Sequence, residues 1–194
     1  MLVGERADAA RNRRAILDAA DRLFAETPAP DKVSMEDVAH AAGLGKGTLF
    51  RRFGDRASLI RAVYARRIEP LREQIETGPP PLGPATPRHE RVPAILAAVV
   101  QLKIDNAHLT LALEGADGVR SEGLYASQSY RDIHLLLTSL LEPDLGQSAG
   151  WVAHTLLATV RADLLRHLVE DEGMSRQQIS ERIAWLVARV IGSG

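Results

Sequence analysis

The sequence predicts an all-α protein: an N-terminal unit of three helices in helix-turn-helix order, followed by a larger helical unit. Three observations carry this. Apolar residues recur at the 3.6-residue period along almost the whole chain, with no sustained alternation of the kind a half-buried strand needs. Glycine and proline fall between the periodic segments, where they end helices. The stretch "GPPPLGPATP", residues 78–87, separates a short front part from a long rear part. No internal repeat is visible.

In the first segment Ile16, Leu17, Ala20, Leu23 and Phe24 fall on one face, which predicts a helix over about residues 7–26. "TPAPDK" breaks it, because each proline removes an amide donor and disfavours helix in the residue before it. Ser34 then reads as an N-cap, with Asp37 three residues on as a short capping box. Met35, Val38 and Ala39 form the buried side of the second helix, and Gly43 ends it in the left-handed conformation. A third helix runs from near Gly45 to Phe53, with Leu49 and Phe53 sharing a face. Lys46, Thr48, Arg51 and Arg52 are left for solvent or a partner. Asp55 caps a fourth helix that turns Leu59, Ile60, Val63 and Tyr64 inward, and Pro70 kinks or divides it.

Residues 78–87 cannot be regular helix and are expected to run exposed and mobile. Beyond them Val92, Ile95, Leu96, Val99 and Val100 make one stripe. Residues 109–114 form a short apolar helix stopped by Gly115 and Gly118. Tyr130, Ile133, Leu137, Leu140 and Leu141 make another stripe, ended by Pro143. Residues 151–168 read as one long apolar helix. "SRQQ", residues 175–178, is a capping box for a last helix with Ile179, Ile183, Leu186, Val187, Val190 and Ile191 on its apolar side.

Composition narrows the function. Net charge is −1, but residues 1–67 hold 13 basic and 9 acidic side chains, whereas the remainder holds 11 and 16. Contact with a polyanion is therefore expected in front. There are no cysteines, which excludes disulfides, thiolate metal sites and cysteine nucleophiles. "MLVGERADAARNRR" does not read as a secretory signal, and no stretch approaches the roughly 20 apolar residues of a membrane span. The expectation is a soluble cytoplasmic protein with no membrane partner.

The stretch "HAAGLGKGTLFRRF", residues 40–53, invites two chemistries. A phosphate loop needs Gly-Lys followed by Ser or Thr, between a strand and a helix. Here Gly47 follows Lys46 and no strand precedes. The dinucleotide fingerprint fails too, because Thr48 stands where its last glycine belongs. Two short helices joined at Gly43 instead outline a helix-turn-helix, whose second helix enters the major groove N-terminus first. Gly45 and Gly47 permit close approach. Lys46 and Thr48 can reach base edges or phosphates, and Arg51 and Arg52 phosphate or guanine. Backbone amides near Ser34 and Asp55 can hold phosphate oxygens.

"ILDAADRLFAE", "VSMEDVAHAAGLGKGTLFRRF" and "DRASLIRAVY" together resemble the tetracycline-repressor (TetR) type of bacterial transcriptional regulator, over about residues 13–63. The resemblance implies a DNA-binding domain over residues 1–54, a connecting helix over 55–77, and a ligand-binding and dimerisation domain over 78–194. Family members usually carry Tyr where Phe50 stands, and its hydroxyl contacts phosphate; Phe50 lacks that bond. Ser is common at the Gly45 position and His or Tyr at that of Arg52. Arg56 matches a family lysine that touches phosphate. The family dimerises through its last two long helices, here about residues 148–170 and 176–191, and often binds a small molecule in the rear domain. His108, Tyr130, His134 and Trp151 are the candidate polar anchors for such a ligand, while His154 and His167 are assigned to the subunit interface.

The resemblance thus implies a homodimeric regulator, a repressor, released from a palindromic double-stranded operator by an unidentified small-molecule effector. No cofactor or metal is implied. An enzyme is not expected: the six histidines lack the His-Glu-x-x-His spacing, and the acidic run at residues 170–172 is a solvated helix end. The alternative is a helical protein-interaction module without DNA binding.

Overall fold

The computed structural model describes residues 2–27, 30–114, 125 and 127–192, and contains only helices and turns among them. The chain divides into two compact units, residues 1–67 and 68–194.

The front unit is built on α1 (Leu2–Glu26), α2 (Met35–Ala41), α3 (Lys46–Phe53) and the start of α4 (Arg56–Thr77). Ile16, Leu17, Ala20 and Phe24 of α1 are buried with Met35, Val38, Ala39, Leu49, Leu59, Ile60 and Val63. Leu49 is α3's one fully buried side chain among the described residues, so it anchors that helix. Its burial is worth about 1.5–3 kcal/mol. The caps form as the spacing predicts. The Ser34 hydroxyl accepts from the Asp37 amide at 3.1 Å, and the Asp37 carboxylate accepts from the Ser34 amide at 2.9 Å. Asp55 accepts from the Ser58 amide at 2.7 Å. Gly43 turns the chain out of α2 at φ 66°, a conformation that disfavours any side chain.

Two ion pairs, Arg66–Asp18 and Arg67–Asp21, tie α4 to α1. Pro70 lies inside α4, which continues to Thr77 instead of dividing. The ring sits on the exposed side of the helix, where water can meet the carbonyl it leaves without an amide.

The rear unit comprises the rest of α4, α5 (Arg88–Asp105), α6 (Ala107–Glu114), α7 (Gln128–Leu145), α8 (Ala149–Ala158), α9 (Ala162–Glu170) and α10 (Arg176–Ile191). Val92, Ile95, Leu96 and Val100 of α5 meet Leu137, Leu141, Ala153, Leu156, Ile179 and Val187 in one aliphatic core. α7 runs past Pro143 by two residues, and Ser175 and Gln178 form the predicted capping box on α10. Gly115 and Gly118, expected to stop α6, lie outside the described residues.

Two expectations are corrected. The proline-rich stretch over residues 78–87 is largely exposed, as expected, but it is tied to its surroundings. Arg91, only 8% exposed, donates from Nε to the Leu82 carbonyl at 2.8 Å and from Nη2 to the Ile75 carbonyl at 2.7 Å. Gly83 passes so close to Gly78 that a Cβ there would fall 1.6 Å from its carbonyl oxygen. The loop is held by one buried guanidinium and a backbone contact that only glycine allows. The long helix expected over residues 151–168 is broken at 159–161. The Thr159 hydroxyl donates to the Leu156 carbonyl at 2.7 Å, Val160 turns fully inward, and Arg161 is extended at ψ 143°. The amide of Ala162 is then satisfied from outside, by the Glu114 carboxylate at 2.7 Å.

Candidate nucleic-acid interface

α3 is short and only Leu49 of its side chains is fully buried, with Thr48 and Phe53 partly so, and the rest of its surface is exposed. Arg51 and Arg52 are exposed and make no ion pair among the described residues. Thr48 is half-buried beside them. Gly45 is the N-cap at φ −68°, an ordinary value, and Gly47 lies inside the first turn. A Cβ built on either would meet nothing within 4 Å. The fold does not need glycine at these two places, which leaves open space beside the first turn of α3.

Lys46 opens α3 and is paired with Glu36 of α2. Its ammonium also stands 5.6 Å from the centre of the Phe50 ring, which is 38% exposed. The lysine's hydrogen bond holds the Glu36 carboxyl below its ordinary range. Glu36 is a residue the sequence reading missed. Its partner lies ten residues on, across a turn, and only the folded helix pair brings the two together.

Two expected phosphate contacts have prior commitments. Of the backbone amides near Ser34, that of Asp37 donates to the Ser34 hydroxyl and that of Ser34 to the Asp37 carboxylate, which also accepts from the hydroxyl at 2.7 Å. Those bonds hold the Asp37 carboxyl below its usual value. Arg56 turns inward: Nε donates to the Val33 carbonyl at 2.9 Å, and Nη2 to the carbonyls of Pro30 and Asp31 at 2.9 and 3.1 Å. It clamps the segment that leads into α2. A second cationic feature, also missed, is an open groove on α1 and α4 lined by Arg13, Arg14 and Arg66 with Asp18. The "RNRR" run just before the first apolar stripe is the signal that could have found it.

In the rear unit Tyr130, His134 and His154 form one cluster. The Tyr130 hydroxyl lies 2.7 Å from His154 Nδ1, His134 Nε2 lies 3.0 Å from the Gly150 carbonyl, and the two imidazoles stack at 3.8 Å. Burial, then the neighbouring His134, pushes the His154 pKa down. His108 is half-buried on α6. Trp151 is 72% exposed on α8 and joins neither. His167 stands apart with Asp171 and Glu172, and its pKa is raised, first by the Asp171 hydrogen bond. Among the described residues no group of three or more histidine, aspartate or glutamate side chains is arranged so that it could hold a metal ion.

A helix-turn-helix unit with an open, cation-bearing second helix, in a chain whose other described residues form helices and turns, has the build of a DNA-binding regulator. The family model for bacterial regulatory proteins of the tetR family matches residues 16–63. The HTH-type transcriptional repressor LfrR of Mycolicibacterium smegmatis is 30% identical over 181 residues, covering 89% of this chain and 86% of its own. An HTH-type transcriptional regulator of Staphylococcus aureus is 25% identical over 177 residues, covering 88% and 89%. Among solved structures, Thermus thermophilus FadR in complex with lauroyl-CoA is similar at TM-score 0.69 and 18% identity, covering 92% of this chain and 94% of that one. LfrR from Mycobacterium smegmatis in complex with proflavine matches at TM-score 0.57 and 23% identity, covering 95% and 98%. The chain belongs to the TetR family and is a DNA-binding transcriptional regulator.

Proposed function

We propose that the protein is a homodimeric repressor that reads a palindromic operator with α3 and is released by a small-molecule effector. The observation that carries this is the free surface of α3: exposed Arg51 and Arg52 on the last turn, and open space at Gly45 and Gly47 on the first. A duplex backbone or base edge fits that space, and nothing in the fold itself accounts for it. In this reading residues 1–54 bind DNA, 55–77 connect, and 78–194 bind ligand and dimerise. Gly45, Lys46, Gly47, Thr48, Phe50, Arg51 and Arg52 face the duplex, with backbone amides beside Ser34. Arg56 acts mainly by holding the entry to α2.

The dimer is supported by apolar side chains left outside the rear core: Trp151 at 72%, Leu164 at 39% and Trp185 at 61% exposure. These three lie on the last three helices, Leu135 on α7 is exposed as well, and burying such side chains against a second copy removes apolar area from water. A two-fold dimer presents two α3 helices to a two-fold site. Trp151 belongs to this surface more readily than to a ligand pocket. His108, Tyr130 and His134 remain the proposed ligand anchors. Release requires that the effector bind one conformer of the dimer more tightly than the other.

Selection from fragmented genomic DNA with the purified protein tests the reading. A palindromic site should be enriched, and the species bound to it should have the mass of a dimer or a multiple. Enrichment of no site, or a monomer on DNA, overturns it.

A further inference from the structure

The leading end of α3 is electrically unlike its trailing end. Arg51 and Arg52 leave two unpaired positive charges on the last turn, whereas Lys46 on the first turn is neutralised by Glu36. Both members of the pair are about half exposed, at 58% and 53%, so packing does not enforce it. A carboxylate held by α2 beside the leading end of the helix that enters the groove is repelled by every phosphate it passes. It is also desolvated there, and that costs free energy unless a donor meets it.

Few donors are available on the groove floor. Each base pair presents a fixed order of groups. Across C·G the order is the cytosine N4 amino group and then two adjoining acceptors, guanine O6 and N7. Across T·A the adenine amino group lies between two acceptors, with a methyl group at the thymine side. The Glu36–Lys46 pair offers one acceptor block beside one donor block. It matches C·G in order. On T·A the carboxylate meets an acceptor on each side of the single amino group. The open space at Gly45 and Gly47 lets both side chains approach the floor.

We propose that Glu36 and Lys46 read one C·G pair in each half-site as a unit, Glu36 accepting from cytosine N4 and Lys46 donating to guanine O6 or N7. This rests on the regulator reading above. Glu36 is then a specificity residue that lowers affinity for other sequences: away from its cognate pair it keeps Lys46 from phosphate and adds its own repulsion.

The test is selection of half-sites from random duplexes with the wild type, Glu36→Gln and Lys46→Met, each checked for an unchanged melting temperature. The wild type should prefer C·G at one column of each half-site by about ten-fold over T·A. In Glu36→Gln that preference should fall below about three-fold while the other columns and the half-site spacing persist. The same variant should bind random-sequence DNA more tightly, with a salt slope steeper by about one. Lys46→Met should weaken the same column and no other. If neither variant alters any column, the pair is a surface ion pair only and the proposal is overturned. If the wild type enriches no site, the proposed reading of an operator by α3 falls and takes this proposal with it.

Discussion

The Glu114 carboxylate accepts from the amide of Ala162 at 2.7 Å while its other oxygen is paired with Lys103. One side chain from the end of α6 thus caps α9 and neutralises a lysine in the rear unit. The lysine side chain is 14% exposed and the glutamate side chain 7%.

Glu114→Gln keeps an oxygen for the Ala162 amide and removes the charge facing Lys103. The variant should be destabilised by about 3 kcal/mol, the cost of leaving a largely buried ammonium uncompensated. Adding Lys103→Met should restore most of the loss. Urea midpoints of the two variants check this, and a single variant as stable as the wild type would contradict it.

That contact also marks where sequence reading ends. The apolar period runs through residues 159–161 without interruption, so the chain reads as one helix there. The break depends on a carboxylate 48 positions away, which local patterning cannot register. The same holds at residues 78–87, where the clamp comes from Arg91, and at Lys46, whose partner lies across a turn. Local features were legible because their causes are local: the Ser34 and Ser175 capping boxes, the left-handed Gly43, and the stripes of Ile16 to Phe24 and Ile179 to Val187. At Pro70 and Pro143 the general rule overstated the effect, because both prolines lie on solvent-facing turns.

Arg56 separates a clamp from a phosphate contact. Arg56→Met removes three hydrogen bonds to the carbonyls before α2 and should lower the stability of the front unit by about 1–3 kcal/mol. The salt slope of DNA binding should stay as it was. A slope reduced by about one, with unchanged stability, would make Arg56 a phosphate ligand instead.

Gly47→Ala sets stability against function. Alanine has space at this position and a better helical propensity, so melting should show a gain of about 0.5–1 kcal/mol. Affinity for the operator should fall by about ten-fold, because the methyl group occupies the approach path (about 1.4 kcal/mol). Equal affinity with a higher melting point would show that the open space is not used.

Two histidines give the rear unit opposite pH limbs. Folding depresses the His154 pKa from 6.5, so its contribution is present above pH 6.5 and is lost as pH falls through the lower folded value. Folding raises the His167 pKa from 6.5, so its contribution is complete below pH 6.5 and is lost as pH rises through the higher folded value. Urea midpoints between about pH 5 and about pH 8 should therefore peak near pH 6.5. His154→Gln should flatten the acid limb and His167→Gln the alkaline one. The depressed carboxyls of Asp37 and Asp55 act only as pH falls below 3.8, outside this window.

The central claim is that α3 holds DNA through Arg51 and Arg52. The most direct measurement is a binding titration on the selected operator at several salt concentrations, for the wild type, Arg51→Ala and Arg52→Ala. Each variant should bind more weakly, and for each arginine that contacts phosphate the salt slope should fall by about one. Variants with wild-type affinity and wild-type slope would contradict the account and move DNA recognition off this helix.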